Sequence, residues 1–287
     1  MIRMSNTKSK LRQPLNLFIH LVVKIKNDDI FALASQLAYY LVLSFFPFII
    51  FLITLVGFSS LSSAEVLEGL NAVLPSSIYD LTESIIREVF DKQYTGLLGV
   101  SIVLALWTAS SGFRAVIKGV NKAYNLKETR SFFKRSLISM LSVLALAITL
   151  LLALGMLVFG RIIGEYLQNI VPFYKIIVIL WNIFRYAFVF ILMILIFAAI
   201  YRVAPSKRLK WREVIPGAIF STIGWIGLSF VFSFYINNFR NYSRFYGSLG
   251  AVFILMTWLF LVSMIFIIGV EINCVITETR KRISRLD

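Results

Sequence analysis

Two residue types that carry much of protein chemistry are nearly absent from this sequence, which has one cysteine, Cys274, and one histidine, His20. A single cysteine excludes a disulfide within the chain and a zinc site built from several cysteines. A catalytic triad that needs an imidazole would have to use His20, which lies in an amphipathic segment that we interpret as an interfacial helix. The phosphate-binding run G-x-x-x-x-G-K-[ST] is also missing. We therefore predict no metal site, no cofactor and no enzymatic activity.

Charge is scarce as well. Only 15% of the residues are charged, whereas 59% are hydrophobic and the mean hydropathy is +0.84. So little polar surface cannot cover a water-soluble domain of 287 residues. The apolar residues are concentrated in six long stretches, and a helix of about 20 residues crosses a bilayer. We predict an all-α, polytopic protein with six transmembrane helices at residues 36–58, 97–113, 137–159, 174–201, 214–235 and 248–270.

Acidic residues are few, and the basic residues are distributed unevenly. Of the 29 lysines and arginines, 22 lie in the segment before the first stretch, in the second and fourth connections and in the C-terminal segment. The first, third and fifth connections hold six. By the positive-inside rule, both termini are then cytoplasmic. Basic loops on that side bind anionic lipid headgroups, which accounts for the net charge of +15. We expect membrane lipids as partners and no nucleic acid, since no platform of aromatic and basic residues accompanies the charge.

The polar segments suggest a simple division of the chain. Residues 1–29 form a cytoplasmic segment with an interfacial helix from Leu15, and Asn27, Asp28 or Asp29 can cap a first transmembrane helix that begins near Ile30. Residues 30–275 form the transmembrane domain, and residues 276–287 a basic cytoplasmic tail. External amphipathic helices are predicted at about 62–92 and 162–171, with acidic residues that fit a solvated face better than a cation site.

Arg185 is the one basic residue deep inside a predicted span, since Lys175 stands at the outer edge of the fourth. A lipid-facing arginine near the bilayer centre would cost at least about 2.5 kcal/mol, so we expect its side chain to point inward. A structural ion pair, contact with an anionic ligand or headgroup, and outward snorkelling all fit this position. Glu271, near the end of the sixth stretch, lies close to the inner boundary, where it can be hydrated and need not be functional.

Small and hydroxyl residues recur on two spans, at 107–112 and at Gly217, Ser221, Gly224 and Gly227. Such residues let helix backbones approach closely in membranes. We interpret both sets as packing surfaces, with a polar path as a secondary reading of the first.

Several local patterns, taken in order, resemble the YihY/BrkB family of bacterial membrane proteins over essentially the whole length. The matching pieces are 34–47 (ASQLAYYLVLSFFP), 107–112 (WTASSG), 121–124, 201–205 (YRVAP), 211–217, and 246–250 through Trp258 to 269–273 (GVEIN). Val270 departs from the pattern, which often has a small residue before the glutamate. The resemblance implies structural roles for the motif residues Pro47, Gly112, Pro205, Gly217, Tyr246, Gly247, Gly250, Glu271 and Asn273.

The resemblance also implies a multi-pass protein of the bacterial cytoplasmic membrane, in a family linked to envelope integrity and lipid or lipopolysaccharide export. The leading hypothesis is a transporter-like protein for a lipid, another anionic amphiphile or a small solute. Its candidate cavity or ligand-contacting residues are Arg185, Tyr39, Tyr40, Trp107, Ser110 and Ser111. The alternative is a scaffold for envelope machinery, with envelope proteins or further copies of the chain as partners. A ribonuclease, as the family is sometimes labelled, is the least favoured reading.

Overall fold

The computed structural model describes residues 19–56, 98–170, 174–238 and 248–283, together with the single positions 64, 67, 68, 79 and 83. These residues are helical apart from short connections, and no strand occurs among them. A short N-terminal helix covers residues 19–27. Six long helices follow: α1 (Ile30–Val56), α2 (Leu98–Ala123), α3 (Phe132–Ile170), α4 (Tyr174–Val203), α5 (Trp211–Asn238) and α6 (Ser248–Ile283). The predicted all-α fold is confirmed.

Four of these helices are long and apolar enough to cross a membrane by length and composition. They carry the segments Phe132–Ala153, Ile179–Val203, Trp211–Tyr235 and Val252–Arg280, whereas the apolar part of α1, Ile30–Phe45, is shorter. These four are the spans found among the described residues. Six spans, and the membrane face on which each terminus lies, therefore stay predictions.

The six helices pack as a closed ring in chain order. Each helix contacts the next from α1 to α6, α6 contacts α1, and α2 also touches α6. The largest buried cluster of apolar side chains joins α1, α2 and α6 to the ends of α3, α4 and α5 that lie nearest to residues 124–131 and 204–210. We call this region the basic end, because the basic segments predicted to share one side meet there.

Backbone geometry explains two of the helix boundaries at the basic end. Asp29 has a φ of 48° and separates the N-terminal helix from α1, and Asn125 has a φ of 53° just after α2. Asp and Asn tolerate this left-handed conformation better than other residues with a Cβ. At the end of α2, the N–H of Leu126 donates to the carbonyl of Asn121 at 2.8 Å, which satisfies a terminal carbonyl. The predicted start of α1 near Ile30 is confirmed.

Two predicted segments are continuous with longer helices. Residues 162–170 extend α3 instead of forming a separate short helix, and α6 runs through the start of the predicted tail to Ile283. The predicted external segment 62–92 lies outside the described residues apart from its five single positions. Motif residues Tyr246 and Gly247 also lie outside the described part.

Glycine allows the closest helix crossing, between α5 and α6. A Cβ added at Gly217 would collide with the carbonyl oxygen of Gly269 and lie 2.5 Å from Nδ2 of Asn273. The Gly217 N–H donates to Oδ1 of Asn273 at 2.7 Å. The predicted packing role of Gly217 is therefore visible, and Val270 next to Gly269 is fully buried without preventing the approach.

The other glycines predicted to pack helices differ in how closely a neighbouring helix approaches them. A Cβ at Gly112 on α2 would collide with Ser44 Oγ on α1, and one at Gly224 would lie 2.9 Å from Ile265 on α6. In contrast, nothing lies within 4 Å of a Cβ added at Gly227. The small face of α5 is a close packing surface at Gly217 and Gly224 but not at Gly227.

Tyr201, from the YRVAP motif, connects three helices in the core. Its side chain is fully buried, and its hydroxyl donates to the carbonyl oxygen of Phe266 at 2.8 Å and lies 2.7 Å from Ser221 Oγ. A buried phenol with two hydrogen-bond partners fixes α4, α5 and α6 relative to one another. The following Pro205 is buried in the connection to α5. These contacts hold the scaffold around the basic end.

Candidate functional site

A cavity of about 680 Å³ lies at the basic end, between α1, α2, the connection after α2 and the first turn of α3. We call it the basic cavity, because its lining includes five basic side chains: Arg114, Lys118, Lys122, Lys127 and Arg135. Three of them, Arg114, Lys118 and Lys122, lie on α2, and their spacing of four residues places them on one face of the helix. Within the described part of the chain, none of the five forms an ion pair with a carboxylate.

Arg114 is held in a defined orientation. Its Nη1 donates to Ser110 Oγ at 2.6 Å, and Ser110 is buried one helical turn earlier. The guanidinium also lies over the ring of Trp107, 5.4 Å from the centroid. A hydrogen bond and a cation–π contact together restrict the side chain, which lines the cavity.

Arg135 occupies a matching position on α3. Its guanidinium lies 6.0 Å from the centroid of Phe132, and the rings of Phe132 and Trp107 are in edge contact at 6.4 Å. Its Nε is buried and has no acceptor among the described residues. The two arginines therefore reach the cavity from two helices that meet through their aromatic rings.

The one acidic side chain in the cavity lining, Glu128, is already occupied. Arg130 donates from Nε and Nη2 to its two carboxylate oxygens at 2.7 and 2.8 Å, and Asn121 Nδ2 donates at 2.8 Å. The hydrogen bonds from Arg130 lower the pKa of Glu128 below its ordinary value, against the opposing effect of burial. This carboxylate stays ionised at neutral pH, and its charge is balanced by Arg130 and not by the five basic residues of the cavity.

The same network joins two connections between helices. Arg130 Nη2 donates to the carbonyl oxygen of Ala204 at 2.7 Å, and the N–H of Ser206 donates to Oδ1 of Asn121 at 2.7 Å. Segments 124–131 and 204–207 are thereby fixed to each other. The rim of the cavity is consequently built from well-anchored backbone.

A separate ionic cluster lies at the C-terminal end of α2. Lys24 Nζ lies 2.8 Å from Asp28, 3.3 Å from Glu271 and 3.3 Å from the carbonyl oxygen of Ala123. Burial acts to lower the pKa of Lys24, but the hydrogen bond to Asp28 and the charge of Glu271 raise it above its ordinary value overall. Lys24 is therefore charged, and it ties the N-terminal helix to α2 and α6.

The interpretation that Glu271 can be hydrated at the inner boundary is wrong, because its side chain is fully buried. Its position near the end of a span indicated the depth along the helix axis but not the packing around it. The N-terminal helix lies against this part of α6 and brings Lys24 to the carboxylate. Asp28, which was a candidate cap for α1, uses its carboxylate for Lys24 instead. His20 lies 3.9 Å from Glu278, one turn before Lys24 on the N-terminal helix and two turns after Glu271 on α6.

The predicted ligand-contacting residues are distributed unevenly over the structure. Tyr40 and Ser111 line the basic cavity, and Trp107 and Ser110 orient Arg114 beside it. Tyr39 is exposed and contacts the cavity only through the ring of Tyr40, at 5.5 Å.

Arg185 lies elsewhere, on α4. It is half-buried, and its Nη2 donates to the hydroxyl of the exposed Tyr186 at 3.0 Å. It does not line the basic cavity. A role in ligand contact at this second position stays a prediction. In the described part of the chain, no group of three His, Cys, Asp or Glu side chains is placed to hold a metal ion.

Comparison with known proteins identifies the family. The sequence profile described as "Virulence factor BrkB" matches residues 21–286. The chain belongs to the BrkB family. The resemblance noted from the sequence motifs is thereby confirmed, and the protein is a membrane protein of this family with several apolar helices.

Two relatives illustrate the range of the BrkB family. A Bacillus subtilis protein named "Putative ribonuclease-like protein YfkH" is 39% identical over 248 residues, which cover 86% of this chain and 90% of that protein. A UPF0761 membrane protein of Alteromonas mediterranea is 26% identical over 284 residues, covering 96% and 91%. No solved structure matches the chain.

Sequence reasoning found the motif residues but not the basic cavity. The sequence pattern assigned the lysines and arginines of residues 114–135 to a basic connection between two spans. The spacing of four residues between Arg114, Lys118 and Lys122 was the signal that could have indicated a site. Lys24 and Glu271 are far apart in sequence, and no local pattern links them.

Proposed function

We propose that this BrkB-family protein is a transporter-like protein that binds an anionic amphiphile and moves it through the membrane, without ATP hydrolysis of its own. One observation carries the proposal: the basic cavity holds five cationic side chains, while the acidic residue in its lining is balanced by Arg130. Positive charge confined in a concave site of low dielectric attracts anions more strongly than the same charge spread over a surface.

The surroundings favour an amphiphile over a soluble anion. The cavity adjoins helix faces with large exposed apolar side chains, among them Trp107, Phe132 and Leu137. We place the protein in the bacterial cytoplasmic membrane with the basic end on the cytoplasmic side, in keeping with the distribution of basic residues. Envelope maintenance is the biological role that we assign to it.

The test is lipid movement in reconstituted vesicles, with fluorescent anionic and zwitterionic lipids read out by chemical quenching of the outer leaflet. Lys118→Gln/Lys122→Gln/Lys127→Gln removes three exposed charges of the cavity. A matched triple variant, Lys207→Gln/Arg208→Gln/Lys210→Gln, removes three exposed charges of the neighbouring connection, which do not line the cavity.

We expect the cavity variant to slow movement of the anionic lipid several-fold and the matched variant to leave it unchanged. High salt should weaken the wild-type preference for anionic over zwitterionic lipid, because the screening length of exposed charges falls to about 3 Å at about 1 M salt. Equal loss in both triple variants would reduce the effect to general surface charge and contradict the proposal. Lipid binding without any movement would favour the alternative, a membrane scaffold.

Arg185 provides a second, independent test of ligand contact. Arg185→Leu removes the charge and donors, and Arg185→Lys keeps the charge but loses the planar fork that binds phosphate in two places. A ligand role predicts that both variants fold and both lose anionic-lipid binding or movement. A structural role predicts that Leu lowers the thermal unfolding midpoint and that Lys largely restores it. Normal lipid binding by well-folded Arg185→Leu would contradict the ligand role.

The ribonuclease-like name belongs to the relative and gives no support for nuclease activity in this chain. The lone His20 lies at the surface of the N-terminal helix, half-exposed and 3.9 Å from Glu278. We expect purified protein to leave a tRNA precursor uncut in the presence of Mg²⁺ or Zn²⁺. Cleavage that His20→Ala abolishes would overturn this expectation.

A further inference from the structure

We propose that Arg114 and Arg135 form a clamp for the phosphate of an anionic phospholipid, whose acyl chains stay in the bilayer along the outer faces of α2 and α3. This inference rests on the proposed function and names the ligand class and the two residues that select it. It divides the basic cavity into a clamp at its lipid-facing edge and a lysine-rich region, Lys118, Lys122 and Lys127, at its exposed rim.

Preorganisation distinguishes the two arginines from the lysines of the cavity. Each arginine is half-buried and lies over an aromatic ring, Arg114 over Trp107 and Arg135 over Phe132. Ser110 adds a hydrogen bond to Arg114 at 2.6 Å. Because both guanidinium groups are already ordered, little side-chain entropy is lost when they bind an anion.

The two guanidinium groups also have N–H donors that can bind a further acceptor. Arg135 Nε is buried without an acceptor in the described part of the chain, and neither arginine is paired with a carboxylate there. A buried donor without an acceptor is costly, and a phosphate oxygen would satisfy it. Two like charges that line one cavity repel each other until an anion lies between them. A planar fork on each side of a phosphate provides paired hydrogen bonds that two ammonium groups cannot match.

The ligand is inferred to be a lipid because of what lies next to the clamp. Trp107 and Phe132, whose rings contact the two guanidinium groups, are 43% and 52% exposed. From Phe132 and its neighbour Phe133, exposed apolar residues continue along α3 at spacings of four, through Leu137 and Leu141. Exposed apolar faces occur all over a membrane protein, so this stripe alone would indicate nothing. It gains meaning because the arginine–aromatic pairs lie at its end, where a headgroup joins its acyl chains.

The structure offers a matched control for the clamp. Arg202, at the same end of the bundle, is half-buried and lies over the ring of Trp211, 4.5 Å from the centroid. Trp211 is 44% exposed, much like Trp107. Arg202 does not line the basic cavity. Arg202→Gln thus removes a similar charge and a similar cation–π contact outside the proposed clamp.

The experiment measures lipid binding to the full-length protein in detergent by native mass spectrometry. Dioleoyl phosphatidic acid and phosphatidylglycerol are titrated against phosphatidylcholine for wild type, Arg114→Gln, Arg135→Gln, the double variant and Arg202→Gln. Each single clamp variant should weaken binding of the anionic lipids by about tenfold, as expected for the loss of one charge-assisted pair of hydrogen bonds. Arg114→Lys should recover only part of the loss, and Arg202→Gln should bind within about twofold of wild type.

Free phosphate is the other source of the same chemistry, and inorganic phosphate is therefore included as a competitor. Lipid binding that resists millimolar phosphate supports the clamp as a lipid site. Displacement of the lipid by inorganic phosphate at that concentration would show a soluble-anion site and overturn the inference. Equal weakening by Arg202→Gln and the clamp variants would overturn it too. Unfolding midpoints within a few degrees of wild type are required of every variant compared. Where a Gln variant fails to fold, the Lys variant at the same position replaces it, with a smaller loss of binding expected because lysine keeps the charge.

The outcomes separate this inference from the proposed function. Clamp-dependent lipid binding combined with no lipid movement in vesicles would reject transport and leave the clamp standing. Lipid movement that the Arg114→Gln/Arg135→Gln variant does not slow would reject the clamp and leave transport standing.

Discussion

The same chemical change at two glycines of one helix should have opposite effects on stability. Gly217 and Gly227 both lie on α5, yet a Cβ at Gly217 would collide with α6, whereas a Cβ at Gly227 meets nothing within 4 Å. Gly217→Ala and Gly227→Ala therefore add the same methyl group to the same helix. Any difference between the variants comes from the crossing with α6.

The magnitude follows from the atoms at the crossing. In Gly217→Ala the new methyl group must move away from the backbone carbonyl of Gly269 and from Asn273, of which Nδ2 and Cγ lie at 2.5 and 2.7 Å. A backbone carbonyl cannot rotate aside, so the helices must separate. A gap of about 0.5–1 Å forfeits about a quarter to a half of the attraction of each atom pair across the crossing.

Overpacking of this kind costs about 1–3 kcal/mol, and weakening the bond between the Gly217 N–H and Asn273 adds about 1 kcal/mol. We expect Gly217→Ala to destabilise the protein by about 3 kcal/mol. Gly227→Ala should be neutral or stabilising by up to about 1 kcal/mol, because alanine is the better helix former.

The assay is the thermal unfolding midpoint of the protein in detergent, read from intrinsic tryptophan fluorescence. At about 2–4 °C per kcal/mol, Gly217→Ala should lower the midpoint by about 6–12 °C, and Gly227→Ala should leave it within about 2 °C or raise it. A midpoint of Gly217→Ala that stays at the wild-type value, like that of Gly227→Ala, would refute the close crossing of α5 and α6. An equally large decrease for Gly227→Ala would show that α5 packs against more of the chain than the described contacts indicate.

Three further predictions concern the charged groups. Lys24→Met should destabilise by about 3–5 kcal/mol because it leaves Glu271 buried without a counter-charge, whereas Glu271→Gln should cost about 1 kcal/mol because Lys24 keeps Asp28. Unfolding midpoints of the two variants measure the difference, and the reverse order would contradict the ion pair. The stabilising contribution of Glu128, whose folded-state pKa is lowered, should be present above its ordinary pKa of 4.5 and be lost as the pH falls through the lowered value. The midpoint difference between wild type and Glu128→Gln should therefore shrink below about pH 4.5, and a difference that grows there would contradict the sign. Topology reporters fused after Lys127 and after Lys210 should indicate the cytoplasm, and reporters fused after Ser77 and after Asn238 should indicate the exterior. A reversed result for either pair would reject the assignment of six spans.

Hydropathy and local patterns predicted the helices but not their partners. The length of an apolar run fixes where a transmembrane helix can lie, and the start of α1 at Ile30 agrees with its polar preceding residues. The sequence predicted a separate short helix at 162–171, because the pattern changes there from apolar to amphipathic. Such a change does not by itself interrupt a helix, and α3 continues to Ile170.

The candidate site was predicted in part. Tyr40 and Ser111 line the cavity because their motifs lie where α1 packs against α2. The small side chains at 107–112 predicted this close packing. Glu271 was misjudged because its neighbour, Lys24, comes from the opposite end of the chain. Pairings over such distances depend on how the ring of helices closes, and single-sequence periodicity contains no information on that closure.

The contacts of Lys24 have a consequence for biogenesis. A chain is synthesised from its N-terminus, so Lys24 emerges long before Ala123 and Glu271, the partners that hold it on α2 and α6. At about 5–20 residues per second, the interval until Glu271 has been made is on the order of ten to fifty seconds. Throughout that interval Asp28 is the one partner of Lys24 in this ion cluster that has already been synthesised. The insertion of the last helix then completes two events together: α6 meets α1 to close the ring, and the buried carboxylate receives its lysine. A nascent chain that stops before α6 therefore has an N-terminal helix whose lysine contacts α2 and lacks its partner on α6.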